Sequence, residues 1–194
     1  MEISKRLDII KEDAKSCTAC LLHKTKTNIV FSRGSEDAKI FIVGEAPGET
    51  EDLEGKPFLG KSGKLLDATL ASYGLDLEKD IYIANVIKCR PPENRKPDAS
   101  EVNKCSKFLT EQLNLVNPKV IIALGATAAK FFTPYLSSIG AMRGTTIEYK
   151  FSYHKPRVFI TYHPSFILRL GGTHSENFKM FSDDIKQAID YANK

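Results

Sequence analysis

Four cysteines and three polar side chains are the residues of this chain best suited to chemistry. Cys17 and Cys20 form a C-x-x-C near the N-terminus. Cys89 opens the run Cys89-Arg90-Pro91-Pro92, and Cys105 follows after fifteen intervening residues. The chain has no other cysteine. Four thiolates suffice for a cubane iron–sulfur cluster or a structural zinc. The polar set is Glu45, Asn85 and His163. Each stands at or just after the end of a short apolar run, so a carboxylate, an amide and an imidazole would face one crevice. Taken singly, Asn85 reads as a turn residue, His163 before Pro164 as a structural histidine, and Glu45 as a loop acid. Their shared placement argues for a common site.

The runs that must position them are residues 39–44, 81–86, 120–125 and 158–162. Such short apolar segments fit strands covered on both faces. Helical patterns separate them. Ile3, Leu7, Ile10 and Ala14 recur at helical spacing and lead to Cys17. Residues 64–73, 98–116 and 126–132 are further helices, the second with Val102, Cys105, Phe108, Leu109 and Leu113 on one stripe. A last helix over 175–191 is expected to open with a capping box from Thr173 to Glu176. Strands alternating with helices predict a mostly parallel α/β sheet with helices on both faces. Ligands in such folds sit at the carboxyl ends of the strands.

The chain has 194 residues, enough for a real core and few enough for a single domain spanning 1–194. No apolar run approaches membrane-spanning length and no signal peptide is visible, which predicts a cytoplasmic location. Cysteines there bind metal or stay reduced more often than they pair. The net charge of +4 is mildly basic and compatible with nucleic acid.

The motifs together resemble the family 4 uracil-DNA glycosylases, the iron–sulfur type of thermophilic bacteria and archaea. The carriers are the C-x-x-C, Gly44-Glu45-Ala46-Pro47-Gly48 with Glu51-Asp52, and Gly55-x-Pro57-Phe58-x-Gly60. Asn85 with Lys88-Cys89-Arg90-Pro91-Pro92, then Cys105, then His163-Pro164-Ser165 complete the set. Each is weak alone, but their order and spacing span nearly the whole chain. Family 5 enzymes carry an apolar residue where Glu45 stands, so the chain sides with family 4.

The resemblance implies a three-layer α/β/α sandwich around a four-stranded parallel sheet. It implies a structural [4Fe-4S] cluster on Cys17, Cys20, Cys89 and Cys105. It also implies a monofunctional DNA repair enzyme that flips uracil from the stack and hydrolyses its glycosidic bond. Phe58 matches the stacking position of the family. Asn85 would accept from uracil N3–H and donate to O4, a pattern that cytosine reverses. His163 would donate to O2 as negative charge develops on the leaving base. Gly44, Glu45, Ala46 and Gly48 would line the pocket, with backbone N–H groups of Glu45 and Ala46 as added donors. Ala46 stands where family 1 enzymes carry an aspartate, which leaves Glu45 or Glu51 to orient water. Gly48 replaces the bulky tyrosine with which family 1 excludes thymine. On the DNA side, Arg90, Arg95, Lys96, Ser165 and Arg169 would meet phosphates, and Phe166, Ile167 and Leu168 would wedge into the stack. A replication clamp is the expected partner although no docking motif stands out, the expected state is a monomer, and the expected location is the nucleoid.

Two other readings compete. Residues 55–62 satisfy the phosphate-binding pattern G-x-x-x-x-G-K-[ST] of P-loop NTPases, but an acidic stretch precedes them where a buried strand should stand. Alternatively a non-catalytic module with a zinc or iron–sulfur site would present Arg90, Arg95 and Lys96 to nucleic acid. That reading leaves Glu45, Asn85 and His163 without a role.

Overall fold

The four apolar runs form the parallel centre of one sheet in a computed structural model that describes residues 2–135, 138–151 and 154–194. In chain order the first elements are α1 (Ile3–Lys15), β1 (Arg33–Gly34), β2 (Ile40–Gly44), α2 (Glu49–Glu54) and α3 (Lys61–Ser72). Next come β3 (Ile81–Asn85), α4 (Ala99–Val116), β4 (Val120–Leu124), α5 (Gly125–Phe132) and α6 (Ile139–Met142). Then follow β5 (Thr146–Glu148), β6 (Arg157–Thr161), α7 (Pro164–Arg169) and α8 (Glu176–Ala192). The strand order is β1-β3-β2-β4-β6-β5. The inner four strands run parallel, and β1 and β5 add short antiparallel edges. These edges are the difference from the expected four-stranded sheet. Two or three residues are too few to show an alternation.

Strand parity divides the core into two layers. Phe41, Val43, Tyr82, Ala84, Ile121, Ala123, Val158 and Ile160 face the side of α1, α4 and α5. Ile40, Ile42, Ile81, Ile83, Val120, Ile122 and Phe159 face the side of α3, α7 and α8. With both faces covered, the strands read as continuous apolar runs.

The helix ends explain where the chain turns. Asp98 and Glu101 form the capping box of α4, and Asn117 closes it at φ 50°. The last helix differs from expectation at its start. Ser175, not Thr173, is the N-cap, and its hydroxyl accepts from the Phe178 N–H at 3.2 Å. The segment 55–62 joins two helices: Gly55 ends α2 in a left-handed conformation and Gly60 caps α3. Because a helix precedes it instead of a strand, the phosphate-loop reading fails on geometry. No helix among the described residues is long and apolar enough to cross a membrane.

Candidate functional site

The register brings the expected polar residues to one edge of the sheet. Gly44 ends β2 and pairs with Asn85, which ends β3. On the other side of β2, strand β4 leads to β6, which delivers His163 two residues past its last member. The Phe58 and His163 ring centroids lie 5.8 Å apart. Gly44 is required here by close approach. A methyl group on it would lie 2.4 Å from Asn85 Oδ1 and 2.6 Å from the Phe58 ring. The amide and the aromatic face therefore meet across a bare backbone.

Asn85 is 2% exposed, and its Oδ1 is buried with no hydrogen-bond partner among the described residues. An unpaired buried acceptor costs about 1–3 kcal/mol. Such an atom, held at a strand end beside an aromatic ring, is shaped to receive an N–H from outside the protein. The backbone beneath it is anchored by Lys88, which is fully buried. Its Nζ donates to the Asn85 carbonyl at 2.8 Å and to Gln112 Oε1 at 2.6 Å. Burial pulls the Lys88 ammonium down to about 7, opposed by the neighbouring Cys105 when that sulfur is a thiolate.

His163 caps α7 with its own ring. Nδ1 accepts from the Ser165 backbone N–H at 3.2 Å and lies 2.9 Å from Ser165 Oγ. Burial, with Arg169 nearby, brings the imidazole down to about 4 against the opposing charge of Glu51. At neutral pH the ring is therefore uncharged. With Nδ1 occupied as an acceptor, the proton resides on Nε2.

The two acids have separate employments. Glu45 accepts the Thr127 hydroxyl from α5 on one carboxylate oxygen. Glu51 is spent on backbone. It accepts from Gly48 N–H at 3.0 Å, Leu59 N–H at 2.9 Å and Gly60 N–H at 2.7 Å. Those bonds tie the loop after β2 to the loop that carries Phe58. Phe58 itself is buried at φ 58°, a conformation that costs a bulky residue on the order of 1–3 kcal/mol.

On the α1–α4 side of the sheet the four cysteines line one cavity, together with Ala14, His23, Ile29, Lys88 and Phe108. Helix α1 buries Leu7, Ile10 and Ala14 and so delivers Cys17 and Cys20. Cys105 sits on α4 and Cys89 follows β3. The Lys88 N–H donates to Cys105 Sγ at 3.3 Å. Burial, followed by the neighbouring Cys105 and Cys20 thiols, pushes Cys89 up to about 12, and burial also raises Cys105. In this apolar cavity Cys89 and Cys105 resist ionisation unless a cation is present to hold them as thiolates. Among the described residues no three His, Cys, Asp or Glu side chains are gathered closely enough for one metal ion. Asp52 braces this region to α2 by accepting from Thr27 N–H at 3.0 Å and Asn28 N–H at 3.3 Å.

The expected DNA-facing residues separate on inspection. Leu168 is 40% exposed, whereas Ile167 is fully buried in the core under α7 and cannot enter a base stack. Leu170, one residue past α7, is also exposed. Phe166 packs on Tyr162 with centroids 4.7 Å apart. Arg95 lies bidentate on Glu101, at 2.9 and 2.7 Å, inside the α4 capping box. Arg90 bonds Asn94 Oδ1 at 2.8 Å, and Lys96 is exposed. Arg169 reaches Ser165 Oγ at 3.4 Å. Sequence reasoning missed Thr127, Gln112 and Leu170. Only Leu170 carried a sequence signal, an apolar residue beside Leu168 at the end of a short helix.

The family model for the uracil DNA glycosylase superfamily matches residues 31–186. The chain is 42% identical to the type-4 uracil-DNA glycosylase of Thermotoga maritima, over 97% of this chain and 95% of that one. It is 45% identical to the type-4 uracil-DNA glycosylase of Archaeoglobus fulgidus, over 91% and 92% of the two chains. The type-4 uracil-DNA glycosylase of Sulfurisphaera tokodaii is 40% identical, over 96% of this chain and 84% of its own.

Proposed function

Since the chain belongs to the uracil-DNA glycosylase superfamily, among its type-4 members, we propose how its own residues carry that reaction. The protein is a DNA-repair hydrolase that cleaves the N-glycosidic bond of uracil in DNA and leaves an abasic site. Residues 1–194 act as one catalytic domain.

One observation carries the assignment of the pocket: the unpaired, buried Oδ1 of Asn85 against Gly44 and the Phe58 ring. Uracil N3–H supplies the missing donor, and the Asn85 amide donates to O4. Cytosine presents the opposite pattern and is rejected. The flipped base stacks on Phe58, a contact worth roughly 1–3 kcal/mol. Backbone of Gly44, Ala46 and Gly48 lines the rest.

As the bond from C1′ to N1 lengthens, its electron pair departs with the base. The neutral His163 offers Nε2–H to O2, where the negative charge collects. A neutral donor already in place costs no reorganisation when that charge appears. Water adds to C1′, and the proton it releases neutralises the departing uracil anion, which leaves as free uracil. Glu45, steadied by Thr127, orients that water, because both oxygens of Glu51 already hold backbone N–H groups. Leu168 and Leu170 fill the gap in the stack, while Arg169, Ser165, Arg90 and Lys96 meet phosphates. Arg95 contributes after leaving Glu101.

Cys17, Cys20, Cys89 and Cys105 fit a [4Fe-4S] cluster. They line one cavity, and the buried Cys89 and Cys105 thiols are held back from ionising until a cation binds them. A cluster held by these residues would supply a structural cross-link among α1, the segment after β3, and α4. A replication clamp as partner, a monomeric state and a place at the nucleoid follow from the same reading as a repair enzyme.

An oligonucleotide with one deoxyuridine tests the whole. Strand scission at that position, seen only after hot alkali, is the expected result. An uncut strand with intact cluster-bearing protein would leave a binding module in its place.

A further inference from the structure

The left-handed Phe58 is held by groups from three separate elements. From α2, Glu51 takes the Leu59 and Gly60 N–H groups at 2.9 and 2.7 Å. From the edge strand β1, Arg33 Nε donates to the Pro57 carbonyl at 2.9 Å, and Nη2 points to the Phe58 carbonyl at 3.5 Å. From α3, Asp67 Oδ1 takes the same Nη2 at 2.5 Å. A methyl group on Gly63 would fall 1.9 Å from the Phe58 carbonyl oxygen, so the first turn of α3 lies flush against this peptide.

Nothing in the fold asks for an arginine here. Strand β1 is two residues long and pairs with β3 through its backbone. The Arg33 side chain is only 11% exposed, and burying a guanidinium is unfavourable unless its donors are used. Every bond it makes goes either to the two peptides that set Phe58 or to the carboxylate that orients the guanidinium. A planar fork can serve acceptors in several directions at once, which a lysine ammonium on a flexible stem does poorly.

We propose that Arg33, oriented by Asp67, is a positioning residue for the base-stacking platform, holding the Pro57 and Phe58 peptides in the turn that aims the Phe58 ring into the crevice. The inference rests on the reading of Phe58 as the surface on which uracil stacks. Glu51 braces the turn from the N–H side and Arg33 from the carbonyl side. The ring is thereby set before the base arrives, and binding energy is not used to order it.

A double-mutant cycle tests this. Arg33→Met removes the donors while keeping most of the side-chain volume, and it is combined with Phe58→Ala. The readouts are single-turnover excision from a deoxyuridine oligonucleotide, inhibition by free uracil, and affinity for DNA that carries an abasic site. Arg33→Met is expected to slow excision and weaken uracil inhibition by about 10-fold each, part of the stacking contribution. It should leave abasic-DNA affinity unchanged, since that ligand has no base to stack. The double variant should be no slower than Phe58→Ala alone, because Arg33 then has no ring to set. Losses that multiply, or abasic-DNA affinity that falls alongside, would make Arg33 a general brace and overturn the proposal. Parental excision by Phe58→Ala would overturn the platform reading itself, and the proposal with it. Asp67→Asn runs the same cycle with Arg33 retained, so poor folding of the methionine variant does not decide the matter. Its loss should be smaller and equally absent in the Phe58→Ala background, and a multiplicative loss would again overturn the proposal.

Discussion

Replacing Asn85 with alanine should separate stability from catalysis. In the free protein Asn85 Oδ1 is buried with no partner among the described residues, a liability of about 1–3 kcal/mol. Alanine removes that liability and loses some packing, on the order of 1 kcal/mol for a surface as small as an amide. The variant should therefore be as stable as the parent or more stable by up to about 2 kcal/mol. At this chain length about 1 kcal/mol moves Tm by roughly 2–4 °C, so a thermal scan should show no fall and up to about 8 °C of gain. Excision should move the other way. Uracil N3–H and O4 would enter a desolvated crevice with nothing to bond, each at about 1–3 kcal/mol. Together that is about 2–6 kcal/mol, or from about 30-fold to over 10⁴-fold in single-turnover rate, centred near 10³-fold. Calorimetry and single-turnover excision on one preparation check both halves. A Tm that drops by about 5 °C or more would show that the amide is part of the core and that its open acceptor is not waiting for a base. Unchanged excision would remove Asn85 from recognition altogether.

Asn85→Asp keeps an acceptor and loses the donor to O4, so its preference for uracil over cytosine should shrink; an unaltered ratio in paired oligonucleotides counts against the amide reading. His163, held near 4 chiefly by burial, stays neutral in the folded state through a range where the unfolded chain, near 6.5, takes up a proton. Stability should therefore decline as pH drops from about 6.5 towards 4, and kcat/KM should stay level until about pH 5 before falling. An acid limb centred near 6.5 would mean an ordinary, exposed histidine. Cys89→Ser should lose the brown colour and the bound iron and melt well below the parent; iron content equal to the parent removes Cys89 from the cluster. Leu168→Ala should slow excision from duplex more than from single strands, by about 10-fold in the ratio, since only a duplex demands unstacking. Equal slowing on both substrates would place Leu168 in general binding.

How much of this was legible in the sequence depended on the distance over which each signal acts. The four parallel strands were visible because both faces are buried and every residue is apolar. The edges β1 and β5 were not, because two and three residues carry no period. The strand-end trio was visible because fold topology places such ends together. The side-chain pairs around these strand ends were not. Thr127 meets Glu45 across 82 residues, Gln112 meets Lys88 across 24, and Arg33 meets Asp67 across 34. No periodicity relates such pairs. Ile167 failed for a different reason. A six-residue helix shows about a turn and a half, too little to say which face points inward, and Ile167 turned in while Leu168 turned out.

Local rules are broken at several points of this chain, and four of those points lie close together. A bulky aromatic adopts a left-handed backbone, an amide oxygen is buried without a partner, a histidine caps a helix with its ring, and a lysine is fully buried. Three of the four stand at the carboxyl ends of β3 and β6 or just beyond them, and Phe58 leans against a third strand end, that of β2, across Gly44. The inner strands keep their parity throughout, and that packed core is what lets a marginally stable domain carry such costs. Two of the exceptions are useful for one reason. In the proposed mechanism the buried acceptor on Asn85 and the neutral donor on His163 are held in place before the base arrives, so little reorganisation is needed when it does. Glu51 belongs to the same logic. Its charge sits on three peptide N–H groups of the loops around the pocket, and in the proposed mechanism that leaves Glu45, with a carboxylate oxygen outside its bond to Thr127, to meet the attacking water.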